Sequence, residues 1–283
     1  MEVGRLKYDI LFKKVFLKKH ILKAFLNTAL EAELPAPITD LSYEPTDFIL
    51  QGKPRLIQKS KHDVIDVFCT TAQDERILIE LQKGSDTRAL PRFLDYQCRN
   101  YSSQFPTGAD YTMVVPCYSI CWFFDRKPPH KHVKELITLR SDCSRTDWTF
   151  AWEIIALYPR NIPKTHIEQK HIDKLEEWLL LDIIDDIKDA KKLQQLIHTE
   201  EVQESFETLD LSALSETQLR RMLFEEQIRQ EYQDVYAEHI QEEKQEEKRA
   251  IARQLLDVLD IETISQKTGL SIQEIQQLQK NTQ

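Results

Sequence analysis

Two short apolar segments with a carboxylate inside each constrain this chain more than any other feature. Residues 63–70 (DVIDVFCT) and 76–82 (RILIELQ) are rich in β-branched and aromatic side chains, and polar residues 71–75 separate them. That pattern predicts an antiparallel hairpin. Side chains alternate along a strand, so Val64, Asp66 and Phe68 share one face while Ile65 and Val67 share the other. On the second strand Glu80 and Gln82 share a face, and Ile79 and Leu81 occupy the opposite one. An ionised carboxylate among apolar neighbours is costly unless it is paired or binds a metal. Two carboxylates converging from adjacent strands repel, and a divalent cation removes the repulsion; oxygen ligands suit magnesium or manganese. Spacing alone leaves open a solvated sheet face, or a basic partner for either acid. Asp63 and His62 lie beside Asp66, but Asp63 has the opposite parity and is read as exposed.

The remaining pattern frames this hairpin. Leu11, Phe12, Val15, Phe16, Leu22, Phe25, Leu26 and Leu30 predict one amphipathic helix over 8–30. Lys13, Lys14, Lys18, Lys19 and Lys23 line its exposed side, as a solvated face or as a surface for DNA phosphates. Pro35 and Pro37 end it. Residues 88–104 read as helix, 111–124 as a long buried strand interrupted near Pro116, and 133–140 and 148–158 as further strands. The first part is therefore a mixed α/β domain.

After Pro163 the periodicity is helical, with stripes over 167–184 and 187–198 and a long helix over 215–259. The stretch QEEKQEEKRA has no large apolar side chain and reads as solvent-exposed. Its flanks offer a broken coiled-coil seam. The last segment reads as helix, turn, helix. Gly269 suits a left-handed C-terminal cap and Ser271 with Glu274 a capping box, with Ile261, Ile264, Leu270, Ile275 and Leu278 as its core. A packing hairpin fits better than a DNA-reading helix-turn-helix, because Gln273, Glu274, Gln276 and Gln277 bring little positive charge.

Charge divides the chain at the same point. Net charge is -9. Residues 1–162 carry 23 basic against 20 acidic side chains, and residues 163–283 carry 15 against 27. Two parts follow: an α/β domain over 1–162 and an acidic helical extension over 163–283. No apolar run approaches the roughly 18 residues of a membrane span, and the N-terminus lacks a signal-peptide pattern. Cys69, Cys98, Cys117, Cys121 and Cys143 read as reduced thiols of a cytoplasmic protein, with Cys117 and Cys121 buried in a strand rather than bound to zinc.

Four segments together carry a resemblance. The arrangement IDVFC followed by ILIELQ resembles the PD-(D/E)xK nuclease superfamily, and within it the recombination-promoting nuclease and transposase-like family. YDILFKKVF and AFLNTAL are similar to the family's opening helix. Arg92, Tyr96, Tyr101, Gln104, Gly108 and Tyr111 follow the spacing of its next helix. AIARQLLDVLDIETISQKTGLSIQEIQQL resembles its C-terminal helical motif. The resemblance implies a restriction-endonuclease-like core, a mixed sheet flanked by helices, with an all-helical C-terminal extension.

The function it implies is a Mg2+- or Mn2+-dependent DNA endonuclease of little sequence specificity, in recombination or mobile-element biology. Asp66, Glu80 and the Leu81 carbonyl would hold the metal, Gln82 would position water, and Arg92 would reach the phosphate. Arg92 has a structural alternative as a salt bridge to Asp95 or Glu80. Asp9 is a candidate remote carboxylate or a helix-start residue. Where the superfamily has lysine at its last motif position, this chain has Gln82, which orients water but adds no charge. Lys83 points to the other face. The alternative reading is a non-catalytic DNA-binding or oligomerisation protein on a decayed nuclease fold. Self-association through the C-terminal helices, or their docking on the first domain, is expected.

Overall fold

The computed structural model describes residues 3–45, 66–82, 89–105, 110, 114–124, 130–139, 152–183, 190–256 and 258–280. Asp63, His62, Lys83, Gly108, Tyr111 and Cys143 lie outside them, as do the side chains of 228–243 on the long helix. The chain forms two compact units, Met1–Met222 and Leu223–Gln283.

The first unit is built on a six-stranded mixed sheet of order β1-β2-β3-β4-β6-β5. Its strands are β1 (Leu41–Tyr43), β2 (Val67–Thr71), β3 (Arg76–Gln82), β4 (Cys117–Phe123), β5 (Lys134–Thr138) and β6 (Trp152–Leu157). The expected hairpin is present: β2 and β3 pair antiparallel with Val67 opposite Ile79 and Phe68 opposite Leu78. Thr71 caps the turn, its hydroxyl donating to Glu75 Oε2 and accepting from the Gln73 and Glu75 amides. Asp74 takes the left-handed conformation there (φ 64°), which short polar side chains tolerate.

β3, β4 and β6 run parallel. A parallel pair needs a crossover, and α3 (Ala89–Ser102) lies between β3 and β4 in the chain. β4 begins immediately after Pro116, whose carbonyl accepts the Arg76 amide; the residue that cannot donate sets the strand's start.

Each face of the sheet has its own core. Val67, Ile77, Ile79, Tyr118, Ile120, Trp122 and Ile155 pack under the N-terminal helices. Phe68, Leu78, Cys121, Phe123, Trp152 and Ile154 pack with Phe93 and Tyr96 of α3. Under the first layer Phe16, Phe25, Trp122 and Trp178 form a buried aromatic cluster, with the Phe25 ring stacked on Trp122 at 5.4 Å.

The single helix expected over 8–30 is two helices, α1 (Asp9–Phe16) and α2 (Lys19–Ala29). Lys18 is extended (φ -83°, ψ 110°), and the Tyr43 hydroxyl donates to the Phe16 carbonyl freed by the break. The apolar stripe carries the reason. From Phe16 an unbroken helix would bury Lys19 or His20, whereas burial resumes at Ile21 and Leu22.

The stripe over 167–184 also splits. α4 (Lys164–Gln169) stops at left-handed Lys170, and α5 (Lys174–Leu180) starts from a capping box of Asp173 and Glu176. α6 (Ala190–Gln194) and α7 (Glu200–Thr208) follow. Trp178, Leu179 and Phe206 of these helices share the core of Phe16 and Phe25, and the Gly4 amide donates to the Leu209 carbonyl. The charge boundary at residue 162 therefore does not coincide with the compact units: the helices up to Met222 cover the sheet.

The long helix α8 (Glu216–Leu255) spans most of the expected 215–259. In the second unit it is followed by α9 (Ile261–Thr268) and α10 (Ile272–Lys280). Gly269 is left-handed (φ 71°) and Ser271 caps Glu274 as read from the sequence. Ile264, Leu270, Ile275 and Leu278 form a small core with Ala252 of α8.

Truncating Phe25 to Ala should lower the unfolding free energy by about 3–5 kcal/mol, since a fully buried aromatic leaves a cavity. Leu17→Ala, at a position 59% exposed, should stay within about 0.5 kcal/mol. Denaturant titration of both variants checks the pair; equal losses would contradict the helix break.

Candidate active site

The hairpin register decides where the two acids go. Phe68 and Leu78 are cross-strand partners on the α3 side. Counting by twos places Asp66 on the face of Phe68, and Glu80 and Gln82 on the face of Leu78. Asp66 stands just before β2, and its Oδ2 accepts the Leu81 amide at 2.7 Å. A side-chain carboxylate thus satisfies a backbone donor of β3 between Glu80 and Gln82. Both of those residues are buried, at 6% and 4% exposure.

α3 adds a cation from above. Arg92 Nη2 donates to Gln82 Oε1 at 2.5 Å and lies 3.4 Å from Glu80 Oε1. Its guanidinium also sits over the Phe93 ring, 5.5 Å from the centroid. Asp95, the other expected partner, is bound by Arg99 at 2.9 Å. Glu80 also walls a cavity of about 10 Å³ with Leu78, Phe93, Tyr96, Ser119, Ile120 and Cys121, about the size of one water. Burial and the nearby Glu80 carboxylate push the Cys121 thiol well above its ordinary range, so it is inert at neutral pH. Cys69 and Cys117 are pushed up to about 12 by burial.

What fixes α3 against the sheet was largely unread in the sequence. Gln97 donates to the Cys117 carbonyl at 2.6 Å and accepts from the Ser119 hydroxyl. Gln104 donates to the Val115 carbonyl and accepts from the Val115 amide. Gln97 lies on α3, and Gln104 lies in the turn that follows it. Tyr96 and Tyr101 pack in the α3-side core.

The other expected residues are not brought to this face. Asp9 pairs with Lys13 at 2.8 Å and with Arg221 at 3.4 Å. Lys18 binds Glu204, which His20 also contacts, and Lys19 binds Asp40. α1 and α2 pack on the sheet face opposite α3, so these lysines and Asp9 lie across the sheet from Asp66 and Glu80. Hydrogen bonds with His20 and then Lys18 hold the Glu204 carboxyl below its ordinary value.

A comparison with protein families matches residues 6–242 to the one described as PD-(D/E)XK nuclease family transposase. The chain belongs to that family. Searches of curated proteins and of solved structures returned no match. Membership in the PD-(D/E)XK nuclease transposase family gives the chain a nuclease- or transposase-related role, and its mixed sheet with flanking helices is the corresponding core. Among the described residues no helix is long and apolar enough to cross a membrane.

The donor set fits a hard divalent cation: two carboxylates and a strand carbonyl, with a neutral amide beside them. Among the described residues no group of three or more His, Cys, Asp or Glu side chains forms a metal cluster. Any cation here would therefore draw on Asp66, Glu80 and backbone or water oxygens.

Glu80 is buried, and its Oε1 lies 3.4 Å from Arg92 Nη2. Removing one partner of a buried ion pair leaves the other charge uncompensated; because Arg92 is partly exposed, Glu80→Gln should lower metal-free stability by about 1–3 kcal/mol. Thermal unfolding in chelator checks this; unchanged or raised stability would show that the Glu80–Arg92 pair contributes nothing net.

Proposed function

We propose that this chain is a metal-dependent endonuclease that hydrolyses phosphodiester bonds in DNA. One observation carries the reading: Asp66 meets the β3 backbone beside Glu80, on the sheet face where Gln82 and Arg92 also converge. Asp66, Glu80 and the Leu81 carbonyl would hold the cation. Bound magnesium or manganese supplies Lewis-acid charge and lowers the pKa of water there. The Gln82 amide orients the attacking water through hydrogen bonds. Arg92, on the more exposed side of Glu80, offsets charge on the phosphate. With Gln82 in place of lysine, these residues supply no fixed positive charge other than that guanidinium.

Little sequence specificity and a place in recombination or mobile-element biology belong to the same proposal. Their support is the family, not a particular residue. A cytoplasmic location is supported by free thiols at Cys69, Cys98, Cys117 and Cys121.

The test is nicking of supercoiled plasmid with magnesium, manganese, calcium or chelator. Cleavage should need magnesium or manganese, and Asp66→Ala should reduce it to background with an unchanged circular dichroism spectrum. Full cleavage by that variant would sink the site assignment. Absence of cleavage by the wild type under every metal would favour a DNA-binding protein on a decayed nuclease fold.

Homo-oligomerisation through the C-terminal helices is the proposed assembly. Its support is the adjacent apolar pair Leu223 and Phe224 on α8, 65% and 61% exposed. Light scattering should give a mass above one chain, and a truncation after residue 222 should lower the number of copies. A monomer at both lengths would remove the proposal.

A further inference from the structure

We infer that Arg92 is a built-in counter-ion of the candidate metal site: it balances Glu80 in the metal-free protein and is exchanged onto the phosphodiester when a divalent cation enters. The inference rests on the metal-dependent reading above and adds a coupling between metal and DNA.

The position of the guanidinium is a compromise. A well-formed charge-assisted hydrogen bond spans about 2.7–2.9 Å. Arg92 Nη2 reaches that closeness with the neutral Gln82 amide, at 2.5 Å, and stays 3.4 Å from the Glu80 carboxylate. Arg92 Nε is buried with no hydrogen-bond acceptor among the described residues, a cost for a strong donor. The side chain is 28% exposed against 8% for Glu80, so the cation lies outward of the acid it balances. Its stem belongs to α3, and the ring of Phe93 under the guanidinium gives it an apolar support that does not depend on Glu80. A side chain held this way can turn outward without disturbing the helix.

Charge counting gives the direction of the exchange. Asp66, Glu80 and Arg92 together carry one net negative charge when ionised. A divalent cation takes the site to one positive, and a phosphodiester then brings it to zero. Without Arg92 the same steps run from two negative charges, to zero, to one negative. Arg92 therefore opposes the cation when DNA is absent and favours the complete assembly when DNA is present. By linkage, the two ligands then strengthen one another through this residue. A guanidinium suits the exchange because it remains charged at all relevant pH values and pairs with carboxylate and phosphate alike.

The experiment titrates Mn2+ calorimetrically into the full-length chain without nucleic acid, for the wild type, Arg92→Gln, Arg92→Met and Arg92→Lys. The neutral variants should bind Mn2+ more tightly by roughly tenfold, because a unit charge a few ångströms from the cation has been removed. Arg92→Lys, which keeps the charge, should stay near the wild type. Circular dichroism identifies folded variants, and two neutral side chains of different polarity guard against the loss of one. Equal or weaker Mn2+ binding in a folded neutral variant overturns the inference and leaves the metal site standing. Wild-type binding that is absent, or that survives Asp66→Ala, defeats the metal reading and this inference together.

Discussion

The pairing of β2 with β3 is the constraint on which the rest of the molecule depends. Val67 opposite Ile79 puts one set of side chains under the N-terminal helices and the other under α3. A slip of one residue would exchange the faces of a whole strand. It would bury Asp66 or Glu80 in the aromatic layer of Phe16, Phe25 and Trp122, where an ionised carboxylate has no compensation. The apolar cost of the wrong register and the electrostatic cost of misplaced acids act in the same direction. The carboxylates thus share a face for the reason that the strands share a core. The Asp66 side chain strengthens this by taking up the Leu81 amide, so a residue of the site also helps to end the pairing.

α3 is the second determinant, and it is held by polar contacts inside an otherwise apolar layer. Gln97 binds the Cys117 carbonyl and the Ser119 hydroxyl of β4, and Gln104, in the turn after α3, binds the Val115 carbonyl just before that strand. A buried amide pays for itself only when its donors and acceptors are met, so Gln97 fixes the rotation and height of the helix more narrowly than a leucine could. That rotation aims Arg92 at the Glu80 and Gln82 side. Removing a glutamine would act on the site through Arg92, without touching the carboxylates.

Local chemistry was legible in the sequence wherever neighbours along the chain decide the outcome. Alternation along 63–70 and 76–82 set the faces, Pro116 set the start of β4, and Gly269 with Ser271 set the last turn. What depended on distant partners was not legible. The break at Lys18 follows from Tyr43 and from the phase of the apolar stripe, and the partner of Lys18 is Glu204, far away in the chain. Net charge marked residue 162 as a boundary because it sums side chains regardless of what they cover. The helices after it bury Trp178 and Phe206 against the same sheet. The lysines of α1 and α2 read as a solvated face or as a phosphate surface, and composition does not show which carboxylates meet them: Asp9 pairs with Lys13, Asp40 with Lys19 and Glu204 with Lys18.

Gln82 ties the candidate site to α3 rather than to the strand. A lysine at that position would carry its charge on β3 itself, fixed by the same register as Glu80. Glutamine leaves an acceptor there instead, and Arg92 Nη2 is bound to it. The positive charge of the site then comes from a different element, on a long side chain with its own support from Phe93. Such a charge can move by several ångströms through side-chain rotation alone, which a lysine packed on a central strand does less readily. Replacing Gln82 with lysine would therefore not restore a family-like site by itself. Two cations would then face one buried glutamate, and Arg92 would lose the acceptor that now holds it.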